Sequence, residues 1–249
     1  MGNDNFVFCI YGFLRDMLKH EINMDEVKKF VYVPRRRYED NDKEATQYEL
    51  EKRFGLNTSI DAYEYNSQFF YDEYVKLNIP AFNSSKQQPQ RILSFFNHIK
   101  KSLEMLKKSN EYDDETIIFL FRSDIGIKKI DAEEARNLLT TSDIICESKC
   151  KHPGGKVRDL FFVLKKKNIN VFLTLYDSYK KYVVDFYSKT KPHPPGITPE
   201  QIIGWHLLQN NMKVGFHDPS KPVIKFSWRH ICNKYCGHNK SETKILGID

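Results

Sequence analysis

At 249 residues the chain is long enough to bury a substantial core, and no boundary between two domains is obvious in its composition. Its 39 Lys and Arg against 33 Asp and Glu give a net charge of +6, which favours acidic partners such as nucleotides without demanding them. No apolar run approaches the ~18 residues that a membrane span needs, and no secretory leader is recognisable, so we expect a cytoplasmic protein without a transmembrane segment.

The chain opens with an apolar strand that leads into a glycine turn. Residues 6–10 are apolar, Gly12 and Arg15 follow, and a helix is predicted over residues 16–21. Glycine lets the backbone approach a phosphate closely, and Arg15 is placed to reach the same group. A strand, a turn and a helix in this order predict the start of an α/β domain.

The next hundred residues contain one clear strand and one clear helix. Residues 30–33 are predicted to form a strand, and a very polar region follows it through residue 53. Residues 55–88 are poorly periodic and are predicted to be mostly irregular, with short helices. Apolar side chains recur at helical spacing over residues 90–108, and we interpret this segment as the crossover helix of a βαβ unit.

An uninterrupted apolar run at residues 117–121 ends abruptly in Arg122, Ser123 and Asp124. Such a run is typical of a strand covered on both faces, and parallel sheets place their ligand crevice at the carboxyl ends of strands. Arginine can bind phosphate oxygens with two parallel hydrogen bonds, and aspartate can hold a hard divalent cation. The pair suits a nucleotide diphosphate, although two ordinary surface charges would give the same sequence.

The second half alternates short strands with helices. A helix is predicted over residues 131–139, a strand over 143–146 and an apolar strand over 159–164 that begins with an acid. Helical spacing of apolar residues then runs from 169 to 183.

Thr198 has the features of a helix N-cap, with Pro199 in the first turn and Gln201 three residues after the cap. The helix is predicted to continue to about residue 210. Two short strands follow it at residues 214–216 and 223–228, and the polar tail after residue 235 is expected to be loose.

Five segments in a fixed order carry a resemblance to a known family. They are Gly12-Phe-Leu-Arg15, Arg91-Ile-Leu-Ser-Phe-Phe-Asn-His-Ile-Lys-Lys101, Arg122-Ser-Asp124, Asp159-Leu-Phe-Phe162 and Pro199-Glu200. This ordered set resembles small GT-A-type nucleotide-sugar glycosyltransferases of bacterial surface-polysaccharide loci and large DNA viruses, with R-x-D in place of D-x-D. In that family two acids often precede the later strand, whereas this chain has Arg158-Asp159, which leaves the role of Asp159 less certain.

The resemblance implies an α/β fold, a GT-A-like Rossmann-type mixed, mainly parallel sheet flanked by helices. It implies one domain over residues 1–249, with a nucleotide-binding half at 1–130, an acceptor-side half at 131–235 and a tail at 236–249. The implied activity is that of a hexosyl- or pentosyltransferase. It would move a sugar from a nucleoside-diphosphate sugar to a hydroxyl of a glycan or glycoprotein, in the host cytoplasm if the protein is viral.

The resemblance also implies a donor site. Asp124 would bind Mn²⁺ or Mg²⁺ that bridges the donor diphosphate and stabilises the charge on the leaving group. Arg122 and Arg15 would assist with the phosphates, and Arg91 and Ser94 would line the donor pocket. We expect Asp124→Ala to abolish turnover and leave the fold intact, because a strand-end acid is not expected in the core.

Two carboxylates are candidates for the base that an inverting transfer needs. Glu200 is the first, and Asp159 is the reserve base or a contact to the donor sugar or the acceptor. The alternative for Glu200 is that an acid in the first turn only stabilises the helix macrodipole. Enzymes of this fold often complete the metal site with a histidine near the C-terminus, so the resemblance points to His217 or His230.

The cysteines suggest a second kind of metal site. The pattern C-x-x-x-C-x-H occurs twice, at residues 146–152 and 232–238, in a chain with 5 cysteines. Two such pairs can supply a structural Zn²⁺ site, although idle intracellular thiols would give the same residues by chance, and disulfides are the alternative if the protein is exported or packaged in a virion.

A nucleic-acid or zinc-stabilised binding module is the rival interpretation. It rests on the net charge, the 14% aromatic content and the Cys and His pairs. The lysines interleave with acids and most aromatics fall on apolar faces, so we expect no nucleic-acid partner. A third possibility is a nucleotide-sugar binding protein whose site no longer turns over.

Overall fold

The computed structural model describes residues 6–14, 22, 24–35, 44–76, 89–147, 157, 159–189, 198–218 and 220–229. The strands in this part of the chain are β1 (Phe6–Tyr11), β2 (Lys29–Pro34), β3 (Thr58–Tyr63), β4 (Ile117–Arg122), β5 (Ile125–Ile130), β6 (Ile144–Cys146), β7 (Phe161–Lys165), β8 (Val214–Phe216) and β9 (Ile224–Arg229). The helices are α1 (Gln47–Phe54), α2 (Ser67–Val75), α3 (Pro89–Ser109), α4 (Ala132–Leu138), α5 (Asn170–Leu173), α6 (Leu175–Lys189) and α7 (Pro199–Gln209), with a 3₁₀ turn at Lys166–Asn168.

The strands form a seven-stranded sheet in the order β3-β2-β1-β4-β7-β6-β8, beside a two-stranded sheet of β5 and β9. The pairs β3–β2, β2–β1, β1–β4 and β6–β8 are parallel, whereas β7 runs antiparallel to both β4 and β6. The α/β class with a mixed, mainly parallel sheet flanked by helices is therefore confirmed.

The direction of β7 decides which residues meet. Because β7 is antiparallel to its neighbours, its first residue lies at the edge of the sheet where β1, β2, β3, β4, β6 and β8 end. We call this side of the sheet the carboxyl edge. Residues that precede β7 therefore lie beside residues that follow the other strands.

Both faces of the sheet are covered, which explains the unbroken apolar strands. Val7, Cys9 and Tyr11 of β1 pack on the face that carries α3, α5, α6 and α7. Phe8 and Ile10 pack on the opposite face with α1, α4 and the two-stranded sheet.

Several predicted elements need correction. Residues 58–63 were predicted to be irregular. They instead form β3, an edge strand of the sheet that is parallel to β2. The polar region before residue 53, for which no element was predicted, contains most of α1. The predicted helix over 169–183 is divided at Thr174 into α5 and α6, and both the amide (3.0 Å) and the hydroxyl (2.9 Å) of Thr174 donate to the carbonyl of Asn170. The helix predicted at 16–21 lies outside the described residues.

In the described part of the chain no helix is both long and apolar enough to cross a membrane.

Candidate active site

Strand ends that are distant in sequence lie side by side at the carboxyl edge. Tyr11, the last residue of β1, pairs with Arg122, the last residue of β4. Phe161 at the start of β7 lies opposite Phe121 of β4, so Asp159 comes next to Arg122. The sheet register thus brings the turn after β1, the R-x-D sequence and the acid before β7 to one place.

Gly12 and the R-x-D loop are held together by hydrogen bonds. Gly12 has φ +100°, a conformation that favours glycine, while a Cβ there would lie 3.9 Å from the hydroxyl oxygen of Ser123, an ordinary contact. Backbone conformation rather than space therefore requires glycine. The amide of Ser123 donates to the carbonyl of Tyr11 (2.7 Å), and its hydroxyl donates to the carbonyl of Phe13 (2.9 Å).

Arg122 is the centre of an ion cluster. Its Nε donates to Oδ1 of Asp124 (2.9 Å), and a second guanidinium nitrogen donates to Oδ2 of the same carboxylate. The Nη1 group lies 3.3 and 3.4 Å from the two carboxylate oxygens of Asp159. Burial alone would lower the pKa of Arg122, but the charges of Asp124 and Asp159 outweigh burial and raise that pKa.

This pair is not a surface ion pair, because Asp124 is only 2% exposed. Removing one partner of a buried ion pair leaves the other charge without compensation and typically costs about 3–5 kcal/mol. The expectation that Asp124→Ala would leave the fold unaffected is therefore wrong in its premise: the strand-end acid is part of the buried structure.

Tyr11 binds the backbone of Asp159. The Tyr11 hydroxyl donates to the backbone carbonyl of Asp159 (3.0 Å). Burial and the charge of Asp159 raise the pKa of Tyr11 well above its ordinary value, so the phenol remains a donor. Asp159 is consequently held at its backbone by Tyr11 and at its carboxylate by Arg122.

The predicted capping box opens α7 and is confirmed. The Gln201 amide donates to the Thr198 hydroxyl (3.3 Å), and the Thr198 amide donates to the Gln201 side chain (3.0 Å). Glu200 lies in this first turn and is partly buried. Burial first, and then the charge of Asp159, raise the pKa of Glu200 above its ordinary value of 4.5, and the charge of Arg122 opposes this rise.

The two candidate bases therefore differ in their surroundings. Asp159 is anchored on a guanidinium, whereas the carboxyl of Glu200 is destabilised in its charged form by burial and by Asp159. Of the two, Glu200 is thus the carboxyl whose surroundings favour its protonated form.

Two further titratable groups follow the strands at this edge. Cys146 of β6 pairs with Phe216 of β8, so Glu147 and His217 lie just beyond that pair, and both are buried. Burial lowers the pKa of His217, and its Nδ1 accepts or donates no hydrogen bond within the described residues. Glu147 was missed in the sequence, although it directly follows a predicted strand, the same signal that singled out Arg122.

Aromatic side chains line the carboxyl edge next to Gly12. The rings of Phe13 and Tyr65 lie 4.9 Å apart, and Tyr32 and Tyr63 are stacked at 4.8 Å. Burial lowers the pKa of His98 to about 3, so this histidine is neutral and can accept the hydrogen bond of the Tyr63 hydroxyl. Partly exposed rings of this kind can stack on a planar ligand such as a nucleobase.

Of the remaining predicted site residues, the structure describes some and leaves others outside the described part of the chain. Arg91 is exposed on α3, whereas Ser94 is fully buried and its hydroxyl donates to the carbonyl of Arg91 (3.0 Å) within the helix. Arg15 and His230 lie outside the described residues. Cys146 is a buried thiol. The other cysteines and histidines of the two C-x-x-x-C-x-H patterns lie outside the described residues, so the zinc site stays a prediction.

A resident metal site is not preformed in the described part of the chain, where no group of three or more His, Cys, Asp or Glu side chains is arranged to hold an ion. Both oxygens of Asp124 accept hydrogen bonds from Arg122. Asp124 and Asp159 bind Arg122, and the charges of Asp159 and Arg122 both affect the pKa of Glu200, so carboxylates outnumber guanidinium groups at this place. A divalent cation at these residues would need further ligands, such as the phosphate oxygens of a bound molecule, as is usual for Mg²⁺.

Three of the solved structures that resemble this chain are distant likenesses. No protein-family model matches the chain, and no curated protein matches it. Mouse xyloside xylosyltransferase 1 in its apo form is similar with a TM-score of 0.44 and 9% identity over 86% of this chain and 85% of that one. The apo-form glycosyltransferase GlyE of Streptococcus pneumoniae TIGR4 is similar with a TM-score of 0.38 and 11% identity over 87% of this chain and 46% of that one.

A third similar structure is 2-C-methyl-D-erythritol 4-phosphate cytidylyltransferase of Francisella tularensis, with a TM-score of 0.37 and 11% identity over 89% of this chain and 94% of that one. Likenesses at these scores and identities do not identify an activity.

Proposed function

We propose that the protein is a glycosyltransferase that moves a sugar from a nucleoside-diphosphate sugar to a hydroxyl of a glycan or glycoprotein. The observation that carries this proposal is the ion cluster of Arg122, Asp124 and Asp159 beside the Gly12 turn at the carboxyl edge, with Glu200 close enough for the charges of Asp159 and Arg122 to affect its pKa. These residues come from four of the five segments on which the family resemblance rests. Segments that only share a sequence pattern by chance have no reason to converge.

The donor end of the proposed reaction needs groups that accept a diphosphate. Arg122 offers a guanidinium that is held in place by two carboxylates and remains partly exposed. The partly exposed rings near Gly12 are suited to a planar base. When Mn²⁺ or Mg²⁺ accompanies the donor, Asp124 and Asp159 would hold it, and it would offset charge on the leaving diphosphate.

The acceptor end needs a proton acceptor. In an inverting transfer, the acceptor hydroxyl oxygen forms a bond to the anomeric carbon as the bond from that carbon to the phosphate oxygen breaks. The hydroxyl proton passes to Glu200, whose raised pKa makes it a better acceptor near neutral pH than an ordinary carboxylate. Asp159 stays hydrogen-bonded to Arg122, and its negative charge contributes to the raised pKa of Glu200.

A thermal-shift experiment tests donor binding. Mn²⁺ alone is expected to change Tm little, because no three-ligand site is preformed in the described residues. A nucleoside diphosphate alone is also expected to bind weakly, because the carboxylates repel it. The matching nucleotide together with Mn²⁺ is expected to raise Tm by about 5 °C or more, exceeding the sum of the separate shifts, since each ligand compensates the charge of the other.

The design compares the four common nucleoside diphosphates, each with Mn²⁺, with Mg²⁺ and with EDTA, and uses inorganic phosphate as the control anion. No shift with any nucleotide and metal at millimolar concentration would refute the proposal. Salt-sensitive binding of an oligonucleotide would instead support a nucleic-acid module. Donor binding without release of nucleoside diphosphate in the presence of varied sugar acceptors would indicate a binding protein without turnover.

A further inference from the structure

A second arginine binds the backbone of the R-x-D loop. Arg53, in the last turn of α1, is fully buried, and its Nη2 group donates to the carbonyls of Ser123 (3.3 Å) and Ile125 (2.7 Å). These two carbonyls belong to the residues on either side of Asp124. One guanidinium nitrogen therefore holds the backbone both before and after the carboxylate.

The local structure of α1 places this cation in the interior. A capping box of Thr46 and Glu49 starts the helix, and its inward side consists of Leu50, Arg53 and Phe54. The Arg53 guanidinium carbon lies 5.6 Å from the centre of the Phe54 ring. Burying a charged group is costly unless it is well hydrogen-bonded, so a buried arginine at an apolar helix position indicates a specific requirement for its bonds.

Arg53 stays charged in this position. Burial lowers its pKa to about 9, and the charge of Asp124 opposes the decrease. At neutral pH the guanidinium is thus protonated and keeps its donors. The bonds of Arg53 to the carbonyls on either side of Asp124 keep the two charged residues close together.

We propose that Arg53 is a positioning residue for Asp124. The R-x-D loop is held from one side by the bonds of Ser123 to Tyr11 and Phe13, and from the other side by Arg53. The two attachments fix the backbone on which the Asp124 carboxylate meets Arg122. The consequence for catalysis rests on the proposed function, whereas the consequence for the loop does not.

Lys29 provides a matched control. It is also fully buried, and its ammonium donates to the carbonyls of Met24, Val27 and Leu56 at 2.6 to 3.1 Å. Like Arg53, it is a buried cation bound to backbone carbonyls, but none of its acceptors belongs to the R-x-D loop. Loss of either cation is expected to lower stability, and only loss of Arg53 is expected to affect the site.

The experiment compares Arg53→Met with Lys29→Met in the full chain. Amide hydrogen exchange is measured at Arg122 and Ser123, whose amides donate to the carbonyls of Leu160 (3.1 Å) and Tyr11 (2.7 Å). We expect exchange at both amides to accelerate about tenfold or more in Arg53→Met and to stay near the wild-type rate in Lys29→Met. Once a nucleotide-sugar donor has been identified, kcat/KM for sugar transfer is expected to fall about 10- to 100-fold in Arg53→Met only. Small displacements of a site group have effects of this size.

Arg53→Lys is expected to recover part of both losses, because the ammonium keeps the charge and can reach a carbonyl. Equal acceleration in both Met variants, or a wild-type exchange rate in Arg53→Met, would overturn the inference. If Arg53→Met does not fold, Arg53→Lys against Lys29→Arg decides the same question. If the wild-type protein binds and transfers nothing, the proposed function fails while the exchange rates still decide the role of Arg53.

Discussion

Asp124→Asn is expected to lower the rate of sugar transfer by about 100-fold or more, the size of effect seen when a preorganised charged or polar group is removed from a transition state. Asparagine retains the size of the side chain and one acceptor oxygen. It loses the charge that holds Arg122 in place and that would meet a cation accompanying the donor. The measurement is kcat/KM for release of nucleoside diphosphate in the presence of acceptor.

Stability must be followed in the same samples, because Asp124 is buried. Asp124→Ala is expected to cost about 3 kcal/mol or more in urea unfolding, and Asp124→Asn less, since the amide keeps one hydrogen bond to Arg122. Glu64→Gln is the control: this exposed acid directly follows β3 at the same edge and is expected to retain wild-type activity and stability. Normal transfer by folded Asp124→Asn would remove Asp124 from the proposed site.

Glu200→Gln is expected to lower kcat by about 100- to 10,000-fold while donor binding is preserved, because a general base contributes rate of this size and not donor affinity. In the wild type, kcat/KM is expected to rise with pH through the raised pKa of Glu200, since the carboxyl must lose its proton to act as a base. The variant is expected to lack this rise. Donor affinity from thermal shift separates the two effects.

The pH dependence of stability gives an independent check of the same residue. Because the folded-state pKa of Glu200 is raised above 4.5, its contribution to stability is fully present below about that pH and is lost as pH rises through the folded pKa. Glu200→Gln lacks this loss. Its stability relative to wild type is therefore expected to increase between pH 4.5 and neutral pH in urea unfolding.

Glu133→Gln separates a base from a helix-dipole acid. Glu133 occupies the same second position of α4 that Glu200 occupies in α7 and is exposed, and the N-cap side chain of α4, Asp131, likewise accepts from the amide three residues later. It is expected to show neither the rate loss nor the pH-dependent gain in stability. If Glu200→Gln transfers sugar at the normal rate, the carboxyl acts only on the helix macrodipole and Asp159 becomes the candidate base.

Elements with a strong local signal could be predicted from the sequence. The helix over α3 has apolar residues at regular helical spacing, and α7 begins with a complete capping box, so both were identified close to their observed bounds. Strands β1, β4 and β7 are apolar on both faces and were equally clear. These signals depend only on neighbouring residues.

Elements that depend on distant partners were missed. Strand β3 is an edge strand and is only partly buried, so its sequence carries no continuous apolar run, and its apolar alternation is limited to Ile60 and Ala62. Helix α1 buries Arg53, although arginine is a residue type that is expected at the surface when only the sequence is known. Its burial is possible because two loop carbonyls of a different segment accept its hydrogen bonds.

The sequence by itself determined which side chains follow the strands: Gly12 after β1, the R-x-D residues after β4 and an acid before β7. Tertiary structure alone decided that these residues form a single cluster. Strand direction is a property of pairing and not of local sequence, and the antiparallel placement of β7 is what turns Asp159 toward Arg122. Burial at that edge then raises the pKa of Glu200 and gives the two carboxyls different environments, because the energy of a charge depends on everything that surrounds it.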